Sequence, residues 1–259
     1  YSKMTNPAVE KHPVVIFFHG GNWENGGLFK EGQYTELGPN LLYAKDEFLK
    51  KGYAVASCQY LRKTGGNKFP GPIKDAADAV RYIKDNAQSM NIDPSRIILA
   101  GKGAGAHTAL MAAFRGVEYS SLGKSDFPVI SAVIAYSALT DLPDLMSGSG
   151  NQAALRAFVE DYIGTAFAQD PTPYEQASPA LRLHKDIPDC LLYISTQEAE
   201  PYGSQWTRLD DKYTELSKSL GAGEKIRGDL IKRTGDGTPE DFFKKCSEIF
   251  IMDQPDGGA

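Results

Sequence analysis

The chain has 259 residues, 41% of them hydrophobic and 24% charged, a composition that fits one large α/β domain, or at most two small ones, and excludes a disordered chain. Lys plus Arg number 28 against 33 Asp plus Glu, for a net charge of −5, so the basic excess of a nucleic-acid binder is missing. No apolar run approaches the roughly 18 residues of a membrane-spanning helix. Cys58, Cys190 and Cys246 lie far apart, which leaves no C-x-x-C metal or redox pair and no fully paired set within one chain. The chain opens Tyr1-Ser2-Lys3 without a methionine and reads as a processed or trimmed product; none of this assigns a compartment or an oligomeric state.

Taken in order, strand-like and helix-like segments alternate. Val14–Phe18 is a short continuous apolar run, which suits a buried parallel strand, and Tyr53–Cys58 reads as a second strand. Pro72–Met90 is an amphipathic helix in which Ile73, Ala76, Ala77, Val80 and Ile83 recur at helical spacing. Asp93-Pro94 breaks it, and Arg96–Ala100 is a third strand. Ala104–Phe114 is an apolar, Ala-rich helix and Val129–Tyr136 a fourth strand. Residues 148–178 are helix-prone and irregular, a cap-like insertion on a single domain spanning 1–259. Cys190–Ile194 is a fifth strand, Arg208–Leu220 a helix, Asp229–Arg233 a last short strand and Pro239–Ile251 a closing helix. Such alternation predicts an α/β fold, a mostly parallel sheet with helices on both faces. Ligands then bind at the carboxyl ends of the strands, in the loops after Phe18, Ala100, Tyr136, Ile194 and Arg233.

Two of those loops carry motifs. After the first strand comes His19-Gly20-Gly21-Asn22-Trp23, and after the third Gly101-Lys102-Gly103-Ala104-Gly105-Ala106-His107. The first is similar to the HGG-x-W oxyanion loop of α/β-hydrolase esterases; the second resembles their strand–elbow–helix motif, usually G-x-S-A-G-G-H. Asp75–Tyr82 and Ile92–Ile97 resemble the helix and lead-in strand of the same family, and the likeness runs from about Val14 to Phe250, strongest up to Phe114. It points to the small carboxylesterases that include acetyl-xylan and feruloyl esterases; kynurenine formamidases share the HGG-x-W loop. The resemblance implies the α/β-hydrolase fold with a small helical cap, and no cofactor.

In an active member, a serine at the elbow attacks a carbonyl, a histidine takes its proton and an acidic side chain orients that histidine. Backbone N–H groups hold the developing oxyanion. Carried over residue by residue, the donors are Gly20, Gly21, Asn22 and Ala104, with His19, Trp23 and Lys102 around them as oxyanion-loop or ligand-binding positions. The serine position is Gly103, which has no side chain. The acid's loop reads Ser195-Thr196-Gln197-Glu198-Ala199-Glu200-Pro201, without the family's His-Gly start or its Asp; Glu198 is the first candidate and Glu200 the second. The histidine's loop reads Arg233-Thr234-Gly235-Asp236-Gly237-Thr238, with Thr234 or Asp236 at the position depending on register, and no histidine follows His184.

Losing the nucleophile or the base of such a triad costs about a millionfold in turnover, while the oxyanion hole and binding alone leave roughly 10³–10⁴-fold over water. Ordinary serine-ester hydrolysis is therefore not expected. Glycine adopts the strained elbow angles with little penalty, so Gly103 is natural divergence or an engineered inactivation; the second lost position favours divergence. The leading expectation is a degenerate esterase that binds a small ester or carboxylate ligand without efficient hydrolysis. Altered chemistry (lyase, cyclase or slow hydrolase) with Glu198 or Asp236 as general base and a partner-binding scaffold are the alternatives. Plainer roles stand beside these: His107 as a satisfied core histidine, His19 shaping its own loop, Lys102 facing solvent, Asp141 as a turn or helix cap, Trp23 packing the loop rather than stacking on a ligand. Glu198, Glu200 and Asp236 bring no histidine or tight ligand spacing, so no metal is expected.

Overall fold

The computed structural model describes residues 11–24, 45–61, 66–120, 127–148, 152–195 and 199–235. Its strands are β1 (His12–Phe18), β2 (Ala54–Cys58), β3 (Ile92–Lys102), β4 (Ile130–Tyr136), β5 (Asp189–Ser195) and β6 (Leu230–Gly235). The helices are α1 (residues 45–50), α2 (Gly71–Asp85), α3 (Ala104–Tyr119), α4 (Leu142–Ser147), α5 (Ala153–Ile163), α6 (Thr172–Gln176) and α7 (Ala199–Ser219). The strands lie in the order β2-β1-β3-β4-β5-β6, and every neighbouring pair is parallel. Among the described residues, no helix is long and apolar enough to cross a membrane.

Alternation along each strand sorts the core into two layers. Val14, Ile16 and Phe18 of β1 face one side with Ala76 and Val80 of α2, Ala109 and Leu110 of α3, and Leu209 of α7. Val15 and Phe17 face the other, where the Phe48 ring of α1 meets Phe17 edge-on at 6.1 Å. β1 is buried along its whole length, as a central parallel strand covered on both faces must be. The chain leaves β1 for α1 on one face and leaves β3 for α3 on the other. The adjacent carboxyl ends of β1 and β3 therefore form the crevice where the strand order reverses.

The predicted elements are found, with shifted ends. α2 stops at Asp85, short of Met90: the Ala87 N–H donates to the Lys84 carbonyl, three residues back instead of four, and Asn86 turns its Nδ2 onto the Tyr82 carbonyl. β3 begins at Ile92 and takes Asp93-Pro94 into the strand, and α3 runs on to Tyr119. α7 starts at Ala199 rather than Arg208. Residues 148–178 hold α5, α6 and the turns around them. The closing helix expected at Pro239–Ile251 lies outside the described residues.

α3 starts against the end of β1 at backbone contact. A Cβ at Gly105 would stand 2.1 Å from the Phe18 carbonyl oxygen and 2.5 Å from that of His19. Neither obstacle is a side chain that could swing away. Gly105→Ala is therefore expected to destabilise the fold by about 3 kcal/mol, the upper part of the range for overpacking. Gly52→Ala, where φ is +83° and nothing lies within 4 Å, should cost only the left-handed penalty of about 1–2 kcal/mol. Chemical denaturation of both variants checks the difference; equal losses would mean that contact with β1 does not set the position of α3.

Candidate functional site

One residue separates β3 from α3. Gly103 has φ 55° and ψ −119°, its N–H donates to the Tyr136 carbonyl at 2.9 Å, and its carbonyl accepts from the His107 N–H at 3.0 Å. Among the described residues, a Cβ built on Gly103 would meet nothing within 4 Å. Ala104 opens α3, and its N–H is among the first-turn donors that have no acceptor within the helix.

The loop after β1 lies against this elbow: a Cβ at Gly20 would stand 2.9 Å from the Lys102 carbonyl oxygen. Gly21, Asn22 and Trp23 follow with φ of 89°, 53° and 59°, a left-handed turn closed by the Glu24 N–H donating to the Gly21 carbonyl at 2.9 Å. For Asn22 and Trp23 that conformation costs about 1–2 kcal/mol each, so contacts elsewhere must hold it. His19 is buried, its Nδ1–H donates to the Gly20 carbonyl at 2.9 Å, and its ring stacks on Tyr60 at 4.1 Å. The Tyr60 hydroxyl donates to the His19 carbonyl at 2.6 Å, and burial raises its pKa, so it stays a donor. His19 thus shapes its own loop. Tyr60 follows β2, at a strand end that carries neither of the two motifs.

Trp23 is 1% exposed. Its ring lies flat on Tyr162 of α5 (4.0 Å, 3°) and perpendicular to the His107 ring at 5.2 Å. Of its two expected roles the structure gives it packing: the indole stacks within the protein. Tyr162 came from the aromatic 151–174 stretch, where sequence alone does not separate a pocket wall from core. Lys102 holds its ammonium 5.1 Å above the Tyr136 ring, on the sheet face opposite to α3, and not over the helix N-terminus. Asp141 caps α4 by accepting from the Asp144 N–H at 3.0 Å and also accepts from Arg208 Nε at 3.1 Å, which is the capping role. Glu198 and Asp236 lie outside the described residues; Glu200 falls in the first turn of α7, and Thr234 in β6. Among the described residues, no group of His, Cys, Asp or Glu is placed to hold a metal ion.

All four histidines of the chain are among the described residues. His12 opens β1 at the amino end of the sheet, and His184 precedes β5 with its Nε2 on the Phe114 carbonyl at 2.8 Å. His107 is wholly buried, and its Nε2–H donates to the Ala177 carbonyl at 2.7 Å. Burial pushes its pKa down to about 4, against a smaller upward pull from that carbonyl. The folded state thus favours neutral His107, so its contribution to stability is complete above about pH 6.5 and is lost as pH falls toward 4. A shift of that size is worth about 3 kcal/mol. His107→Gln, whose amide can also donate to Ala177, should flatten the loss of stability between pH 6.5 and 4; an unchanged profile would show that other groups govern it.

With the geometry in view, comparison with known proteins gives a consistent result. Residues 3–204 match the BD-FAE family. The chain is 34% identical over 101 residues to carboxylesterase NlhH of Mycobacterium tuberculosis, covering 39% of this chain and 28% of that one. It is 24% identical over 258 residues to isoprenylcysteine alpha-carbonyl methylesterase ICME of Arabidopsis thaliana, covering 95% and 53%. The chain thus spans between about a quarter and about half the length of these curated relatives. Among solved structures, a truncated carbohydrate esterase from gut microbiota superposes with TM-score 0.71 at 22% identity, over 94% of this chain and 86% of that one. The butyrate-bound esterase Est2 of Thermogutta terrifontis gives 0.69 at 15% identity, over 97% and 87%. The structural likeness establishes the α/β-hydrolase fold, and the match over most of the sequence establishes that the chain belongs to the BD-FAE family.

Proposed function

We propose that this chain binds a small ester or carboxylate at the crevice between β1 and β3 without hydrolysing it efficiently. One observation carries the reading: residue 103 sits in the elbow between β3 and α3, at φ 55° and ψ −119°, and it is a glycine. Ester hydrolysis by this route needs a hydroxyl there and an imidazole to take its proton. The chain has neither a side chain at 103 nor any histidine after His184. The oxyanion donors in this reading are the N–H of Ala104 at the start of α3 and the backbone N–H groups of Gly20, Gly21 and Asn22, on the loop that lies against the elbow; such donors stabilise a developing oxyanion and equally suit a carbonyl or a carboxylate. The choice of an ester or carboxylate also follows the relatives, which are named as a carboxylesterase and a methylesterase.

The test uses p-nitrophenyl butyrate as substrate and butyrate as ligand. Butyrate is expected to shift the amide resonances of Gly21, Asn22 and Ala104. The unaltered chain should release p-nitrophenol no faster than the 10³–10⁴-fold over water that donors and binding alone supply, with no acyl adduct by intact mass. Gly103→Ser should fold, since its Cβ meets nothing within 4 Å among the described residues, at a cost of about 1–2 kcal/mol for the positive φ. Without a base, it should stay about a millionfold below an intact triad. Steady release proportional to protein, with a covalent acyl adduct on the unaltered chain, would overturn the reading.

A further inference from the structure

We propose that Tyr162 is a positioning residue for the oxyanion loop: its ring, lying flat on Trp23, holds Gly21, Asn22 and Trp23 in the left-handed turn that aims the loop's N–H groups, and so ties the donor geometry to α5. A residue as bulky as Trp is disfavoured at φ 59°, and such a conformation persists only where surrounding structure over-determines it. The one face-to-face contact of the indole recorded among the described residues is the Tyr162 ring, at 4.0 Å and 3°.

Tyr162 is itself fixed from several sides. Its carbonyl accepts from the Phe69 N–H at 2.8 Å, and its ring stands at a steep angle to those of Phe69 at 6.0 Å and His107 at 5.7 Å. His107 is anchored in turn to the Ala177 carbonyl. The holding force is ring contact rather than hydrogen bonding, because neither the Tyr162 hydroxyl nor Trp23 Nε1 has a hydrogen-bond partner among the described residues, and both are buried.

The geometric half of this proposal stands on the loop alone; only its consequence for affinity rests on the carboxylate-binding reading above. Tyr162→Phe and Tyr162→Leu separate the possibilities, with two readouts. The first is the NOE from amide to α proton within Asn22 and within Trp23, which is strong at positive φ and weak elsewhere. The second is the Kd for butyrate. Tyr162→Leu should lose the strong NOEs and weaken butyrate at least tenfold, while the amide shifts of α3 stay in place. Tyr162→Phe, which restores the ring without the hydroxyl, should rescue both readouts. Strong NOEs retained in Tyr162→Leu would overturn the proposal. So would their loss in Tyr162→Phe, since the hydroxyl would then do the holding. If Tyr162→Leu does not fold, Tyr162→Met is read by the same NOEs. An unaltered chain that shows the NOEs but ignores butyrate would refute the ligand reading, and the variants' NOEs would still decide the role of Tyr162.

Discussion

Helix α3 meets the end of β1 at a distance that only glycine permits. A side chain at residue 105 would collide with the carbonyls of Phe18 and His19, and one at residue 101 would fall 2.3 Å from the Gly105 carbonyl carbon. These contacts are backbone against backbone, so no rotamer change relieves them. They fix two things together: the elbow turns within one residue, and the loop after β1 is pressed against the start of α3. Because the chain leaves β1 and β3 toward opposite faces of the sheet, this contact sits at the mouth of the crevice that the topology opens. The spacing of the donor groups is therefore set by Gly101 and Gly105 and is independent of what stands at 103.

The loop itself needs a second restraint, and aromatic rings supply it. Tyr60 supports His19 from the β2 side, and Tyr162 supports Trp23 from α5. This arrangement buries Trp23 Nε1, the Tyr162 hydroxyl and His107 Nδ1 without hydrogen-bond partners among the described residues. Each such orphan costs about 1–3 kcal/mol. Burying a large aromatic ring removes roughly 150–250 Å² from water, worth up to about 4–6 kcal/mol at the usual area coefficient. Ring burial outweighs the polar loss, which is why a Trp–Tyr–His cluster can form the floor of a loop that carries backbone strain.

Much of this was legible in the sequence, and the gaps have physical causes. Apolar runs in β1, β4 and β5 stand out because central parallel strands are buried on both faces. The glycines of the two motifs stand out because no other residue fits a close backbone approach. Helix ends were less visible. Pro201 reads as a loop residue, yet it lies in the first turn of α7, where a missing N–H does no harm. The described residues of α1 are held by Phe48 against Phe17, a tertiary contact with no local signature. Trp23 was ambiguous because an exposed stacking surface and a buried packing surface use the same residue type. Only the position of Tyr162, some 140 residues later in the chain, decides between them. Tyr60 carries no signal in the sequence because β2 is an edge strand among the described residues and the loop after it holds no motif.

Strain is distributed unevenly over the site, and the unevenness bears on its chemistry. In a serine hydrolase the elbow holds a non-glycine residue in an unfavourable conformation. Here glycine occupies that conformation, and the strain at this point is gone. The loop after β1 is different: Asn22 and Trp23 remain in the left-handed region, where glycine would be easier. Backbone N–H groups aimed by a strained, ring-clamped loop are of use to any bound oxygen, whether or not a covalent step follows. The backbone strain of this region therefore lies in the loop after β1 and not at the elbow.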